Sequence, residues 1–138
     1  MSLSRLAFVI LLGLGVTPAL AADLTIEIDG VAADRGKVYV GLYDHPDHFP
    51  TSGRREGQVV SAKANHLTVS FKNLPPGDYA VAAFQDFNGN GRLDRNVFGL
   101  PKEPYGYSGA DNRRRRMPRF SKAAIHLDSD TSTNIALK

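Results

Sequence analysis

A chain of 138 residues, 42% of them hydrophobic, has room for one domain with its own core. A formal net charge of +3 is too close to balance for a general nucleic-acid binder. The absence of cysteine excludes disulfide staples, thiol catalysis, zinc–thiolate sites and a lipid-modified cysteine anchor.

The first residues read as a secretory leader. Arg5 supplies a positive start, residues 6–16 form an apolar run, Pro18 breaks it, and Ala19-Leu20-Ala21 is a small-x-small cleavage pattern. The run is short for a membrane span, so the alternative, an uncleaved N-terminal anchor, fits less well. The expected organisation is a signal peptide at 1–21 and a β-sandwich domain at 22–138, exported to the periplasm or beyond. No other stretch is apolar for long enough to cross a bilayer.

Leu24, Ile26 and Ile28 alternate with Thr25, Glu27 and Asp29, the period of a half-buried strand. After the turn Asp34-Arg35-Gly36, Val38, Val40 and Leu42 alternate with Tyr39, Gly41 and Tyr43. These two strands are expected to form a hairpin. Residues 44–57 read as a polar loop. Residues 58–64 form a weak strand, and Leu67, Val69 and Phe71 mark the next, giving a second expected hairpin about Asn65-His66. Leu74-Pro75-Pro76-Gly77-Asp78 is a tight turn. The run Tyr79-Ala80-Val81-Ala82-Ala83-Phe84 is apolar on both faces, as in a central strand covered on each side.

Residues 87–119 carry no convincing regular pattern. So long a loop is uncommon in a compact domain. Phe87, Leu93, Phe98, Leu100, Tyr105 and Tyr107 are expected to pin it to the body. Alternation resumes over 120–127, and Thr133, Ile135 and Leu137 mark the last strand. The sum is all-β: an antiparallel β-sandwich of about seven strands, immunoglobulin-like or prealbumin-like, with one long loop and no helix.

The chemistry concentrates in Asp86-Phe87-Asn88-Gly89-Asn90-Gly91-Arg92-Leu93-Asp94. Asp86, Asn88, Asn90 and Asp94 put side-chain oxygens at loop positions one, three, five and nine. Arg92 offers its carbonyl at seven, and Gly91 supplies the bend at six. That spacing suits calcium (Ca²⁺), whose irregular oxygen cage it matches better than that of Mg²⁺. Position twelve is Val97, not the bidentate glutamate of an EF-hand, so a further ligand would be a water, a carbonyl near Asn96, or a carboxylate such as Glu103. With two charged ligands and Arg92 and Arg95 nearby, the expected affinity is weak, about 10⁻⁴ to 10⁻³ M. The competing reading is a self-satisfied turn. Asn88-Gly89 and Asn90-Gly91 are turn dipeptides whose side chains bond to neighbouring backbone.

Two resemblances rest on these residues. Leu74-Pro75-Pro76-Gly77-Asp78-Tyr79-Ala80-Val81 resembles the proline-glycine-x-tyrosine turn of prealbumin-like and collagen-adhesin B-type sandwich domains. More of the chain is similar to a bacterial exported family known as domain of unknown function 2141. That similarity runs through Gly36-Lys37-Val38, Gly41-Leu42-Tyr43, Phe49-Pro50, the 74–81 turn and the 86–94 loop. It continues through Gly99-Leu100-Pro101, Glu103-Pro104-Tyr105-Gly106-Tyr107-Ser108 and Pro118-Arg119-Phe120. The resemblance implies an exported β-sandwich and carries no catalytic residue. Arg113-Arg114-Arg115-Arg116 departs from the milder segment expected there.

Other candidates are weaker. Asp44-His45-Pro46-Asp47-His48 has ligand types for Zn²⁺ or Cu²⁺, but Pro46 keeps it from presenting them on one helical face. His66 reads as a turn residue and His126 as outward-facing. The arginine run, with Arg119, would meet anionic lipid, glycan or an acidic partner, or stand as a solvated loop face. Tyr105 and Tyr107 would stack on a sugar or peptide, or anchor the loop. Tyr79 reads as structural, its ring buried and its hydroxyl bonded to backbone near the preceding turn. Gly106-Tyr107-Ser108-Gly109 falls one residue short of a nucleophile elbow. The reading is a non-enzymatic, calcium-stabilised structural or binding module of the cell envelope. A carbohydrate-binding or adhesion module and a small hydrolase are the alternatives. A glycan, a peptide or another envelope component would be the partner.

Overall fold

The computed structural model describes residues 20–109 and 116–138. Residues 1–19 of the expected leader and Arg113, Arg114 and Arg115 lie outside the described residues. Among the described residues eight strands and one short helix follow in order: β1 (Ala22–Asp29), β2 (Lys37–Tyr43), β3 (Glu56–Ser61), β4 (Leu67–Leu74), β5 (Gly77–Asp86), β6 (Tyr105–Tyr107), α1 (Phe120–Ala123), β7 (Ile125–Leu127) and β8 (Thr131–Ala136). They form two sheets. The smaller has the order β4-β1-β8. The larger has the order β3-β2-β5-β6, with β7 also pairing with β5. The fold is an all-β sandwich, as the alternation predicts.

The alternating residues face the core as expected. Leu24, Ile26 and Ile28 from β1 meet Val38, Val40 and Leu42 from β2, with Val69, Phe71, Val81, Leu127 and Ile135 closing the layer. Each fully buried aliphatic side chain contributes about 1.5–3 kcal/mol. Tyr79 is buried and its hydroxyl donates to the Pro75 carbonyl at 2.7 Å, as read from the turn before it.

Both expected hairpins are absent. β1 pairs with β4 and β8, whereas β2 pairs with β3 and β5. The apolar faces of β1 and β2 bury each other by lying in opposite sheets, which neighbouring strands of one sheet cannot do. The connection between them is held as a crossover by Gln85. This fully buried side chain accepts from the Ala32 N–H at 2.9 Å and donates to the carbonyls of Ala32 and Arg35 at 2.7 and 2.6 Å. β3 and β4 likewise sit in different sheets. Ala62 is buried between them, and its carbonyl accepts from the Asp34 N–H at 2.6 Å. β1 and β8 run parallel, an exception to the antiparallel rule elsewhere.

Further corrections concern the long loop. It contains β6, which pairs with Ala82, Ala83 and Phe84 of β5. Residues 120–127 are a turn of helix followed by a short strand. Phe87 is held beneath Arg35, whose guanidinium lies 3.9 Å from the ring centroid. Phe98 and Leu100, however, are 84% and 60% exposed and pin nothing. Asn96 causes this: its Oδ1 accepts from the N–H groups of Phe98 and Leu100, closing a turn that faces solvent.

Candidate functional site

The loop at 86–94 grows from the last residue of β5. Asp86 is 1% exposed. Its two carboxylate oxygens accept from the N–H groups of Gly89 and Gly91, each at 2.8 Å. Both glycines have positive φ, 77° and 73°, so the chain can fold back over the carboxylate. Asn88 Oδ1 then accepts from the Asn90 N–H, and Asn90 Oδ1 from the Arg92 N–H. The side-chain amides of Asn88 and Asn90 both donate to Asp94. Those bonds, Asn90 first and Asn88 second, hold the Asp94 carboxyl below its usual range.

Asn88, Asn90 and Asp94 are thus bonded side chain to side chain, while Asp86 is tied to the loop through the glycine N–H groups, the bonds of the self-satisfied turn. Arg92 enters it through its backbone. Glu103 joins in a different role from that of a ligand. It is 6% exposed, and its oxygens accept from the N–H groups of Phe87 at 2.9 Å and Asp94 at 3.1 Å. It clamps the two ends of the loop together. Among the described residues no group of three His, Asp or Glu side chains is placed to hold a metal ion. The loop closes on its own hydrogen bonds.

The remaining sequence candidates are dispersed. Asp44 pairs with Arg55 at 2.9 Å, while His45 and His48 lie 5.2 Å apart, centroid to centroid. His66 bridges Asp29 at 2.7 Å and Glu27 at 2.6 Å. His126 stands outward against Asp78 at 2.8 Å. Ser108 is buried; its hydroxyl accepts from the Val81 N–H and donates to the Ala123 carbonyl. Both of its hydrogen-bonding roles are spent on joining β5 to α1.

The outer face of the larger sheet holds what the sequence reading missed. A groove of about 440 Å³ crosses β3, β2, β5 and β6. Strand register builds it in two rows. Gly57, Gly41, Ala82 and Tyr107 lie side by side across the four strands, and Val59, Tyr39, Phe84 and Tyr105 form the next row. Three members of the first row are glycine or alanine; the Tyr43 ring leans over Gly41 and the Arg54 side chain over Gly57. The second is a ridge: Tyr39 and Phe84 stack at 5.1 Å, and Tyr105 meets Tyr107 edge to face at 5.8 Å. On the far side the floor is covered. Ala80 packs in a satellite cluster with Tyr43, Phe49 and Ala123, and the Tyr43 hydroxyl donates to the Pro50 carbonyl. Central strand β5 is thus covered on both faces over its first half and left open outward over its second.

The loop and the groove adjoin. Gly91, Leu93 and Arg95 line the groove together with Thr51, Arg54 and Met117. Burial raises the phenols of Tyr43 and Tyr107 above their ordinary range, with the charge of Arg54 opposing the rise at Tyr43. The only hint in the sequence was Tyr39-x-Gly41-x-Tyr43, which puts aromatic rings on either side of a gap on the outward face of one strand.

Among the described residues no helix is long and apolar enough to cross a membrane. No curated protein and no solved structure matches the chain. A family model matches residues 26–136, from β1 to the end of β8, and its description is an uncharacterised protein conserved in bacteria. The sandwich, its loop and its groove therefore belong to a member of the DUF2141 family.

Proposed function

We propose that this protein is a non-enzymatic, exported binding module of the bacterial cell envelope, and that the groove on the larger sheet receives a saccharide. One observation carries the reading: a groove that runs over Gly41 and Ala82, bordered by Tyr43 and Tyr107 and by the ridge of Tyr39, Phe84 and Tyr105. Sugar rings present faces of apolar C–H groups and edges of hydroxyls. Aromatic faces with phenolic hydroxyls match both at low cost in side-chain entropy. Among the described residues, the groove lining holds no carboxylate, imidazole or thiol for acid–base or nucleophilic work, which supports binding over hydrolysis. Export rests on the leader pattern at 1–21. The test is a glycan array probed with the purified protein. Retention of at least one glycan class, weakened about tenfold or more by Tyr105→Ala, supports the reading. Silence across the array retires it.

A second reading concerns the loop alone. The spacing of Asp86, Asn88, Asn90 and Asp94 supports a weak Ca²⁺ site that would stiffen the groove wall without touching the ligand, in competition with the loop's own hydrogen bonds.

A further inference from the structure

The groove has a charge signature. Among the described residues that line it, only Arg54 and Arg95 carry charged side chains. They come from different segments: Arg54 from the loop before β3, and Arg95 from just beyond the 86–94 loop. Among the described residues neither forms an ion pair with a carboxylate, whereas Arg55, next in sequence to Arg54, is paired with Asp44. The arginine that faces the groove is left uncompensated, and its neighbour that faces away is neutralised.

Each arginine is also positioned. A Cβ at Gly57 would lie 2.6 Å from Arg54 Nε, so the glycine makes room for the guanidinium to rest over β3 at the groove margin. Arg95 Nη1 donates to the Gly99 carbonyl at 2.9 Å, which fixes its fork while leaving other N–H donors uncommitted by that bond. Guanidinium groups bind carboxylates and other oxyanions through paired, charge-assisted hydrogen bonds. A neutral sugar would need neither.

Building on the saccharide reading, we infer that the ligand is an acidic glycan, whose ring lies in the groove over Gly41 and Ala82 while its anionic groups meet Arg54 and Arg95. The recognised chemistry is a sugar ring bearing an oxyanion. Uronic-acid carboxylates and sulfate esters both provide it.

Calorimetric titration with three probes separates the outcomes: oligogalacturonate, its methyl ester, and a sulfated oligosaccharide. Oligogalacturonate should bind about tenfold or more tightly than the uncharged ester, which keeps the ring and removes the charge. A sulfated probe that binds while oligogalacturonate does not would assign the oxyanion to sulfate. Arg54→Gln and Arg95→Gln should each erase most of the preference for the acid over the ester, and leave the melting temperature within a degree or two, because both side chains are exposed. Raising the salt concentration should weaken binding of the acidic probes alone. Equal binding of acid and ester overturns the inference while the saccharide reading stands. If no acidic probe binds, the inference also falls, and a silent neutral array would then remove the saccharide reading with it.

Discussion

Tyr39 and Phe84 stack across β2 and β5 with ring centroids 5.1 Å apart and planes 10° from parallel. The two residues are register partners on the outward face, so the stack follows from strand pairing and not from core packing. Such a pair is worth about 0.5–1.5 kcal/mol beyond the area it buries. A double-mutant cycle with Tyr39→Ala and Phe84→Ala, read by urea unfolding, should return a coupling of that size. Either single variant should also weaken glycan binding by more than its effect on stability explains. No coupling would mean that the rings stand independently and that the ridge is not preformed.

Glu103 should matter more than its place in a loop suggests. Its carboxylate accepts two backbone N–H groups in a nearly buried position. Glu103→Gln keeps one acceptor oxygen and puts an amide NH₂ donor opposite the second N–H. The expected loss is about 1–3 kcal/mol of unfolding free energy, with faster hydrogen exchange at the amides of Phe87 and Asp94. An unchanged exchange rate at both would show that the clamp is not needed.

Calcium should raise stability modestly. With a dissociation constant of about 10⁻³ M, about 10 mM Ca²⁺ adds about 1.4 kcal/mol to the folded state. The melting temperature should rise with Ca²⁺ in the wild type and stay flat in Asp94→Asn. A flat response in the wild type would leave the hydrogen-bonded turn as the whole account of the loop.

Acid and alkali should act on opposite members of one exposed network. His66 is raised from its ordinary 6.5, first by its bond to Asp29 and then by that to Glu27. Its contribution is complete below pH 6.5 and is lost as pH rises through the elevated value. Asp29 is lowered from 3.8, first by His66 and then by Asn134. Its contribution is present above pH 3.8 and is lost as pH falls through the depressed value. Both are whole between these limits. His66→Ala should flatten the alkaline decline of the melting temperature relative to wild type. His126, raised by Asp78, leaves a residual slope that His126→Ala removes. An NMR titration in which the His66 ring titrates at or below 6.5 would contradict the network.

How much of this was legible in the sequence depends on how far apart the partners lie. Alternation in β1 and β2 declares which side chains face inward, and those declarations hold at Leu24, Ile26, Ile28, Val38, Val40 and Leu42. It does not declare which strands are neighbours, so two hairpins were read where two crossovers exist. β6 spans three residues, too few to show a period. Its central Gly106 looks like a strand breaker, yet it is required there, since a Cβ would lie 2.6 Å from the Ala136 carbonyl oxygen. The 86–94 loop was legible because its partners are local. The groove was not, because Gly57, Gly41, Ala82 and Tyr107 become a row only when four separate strands align.

The parallel pairing of β1 with β8 sets the order in which the molecule can be finished. β1 is the middle strand of its sheet, and one of its two neighbours is the last strand in the chain. While β8 is unavailable, a hydrogen-bonding edge of β1 stays open and Leu24, Ile26 and Ile28 lack a full layer. Completion waits for the tail, a topology of high contact order that folds slowly. A truncation within 131–136 should therefore yield an aggregation-prone chain, not a smaller working domain.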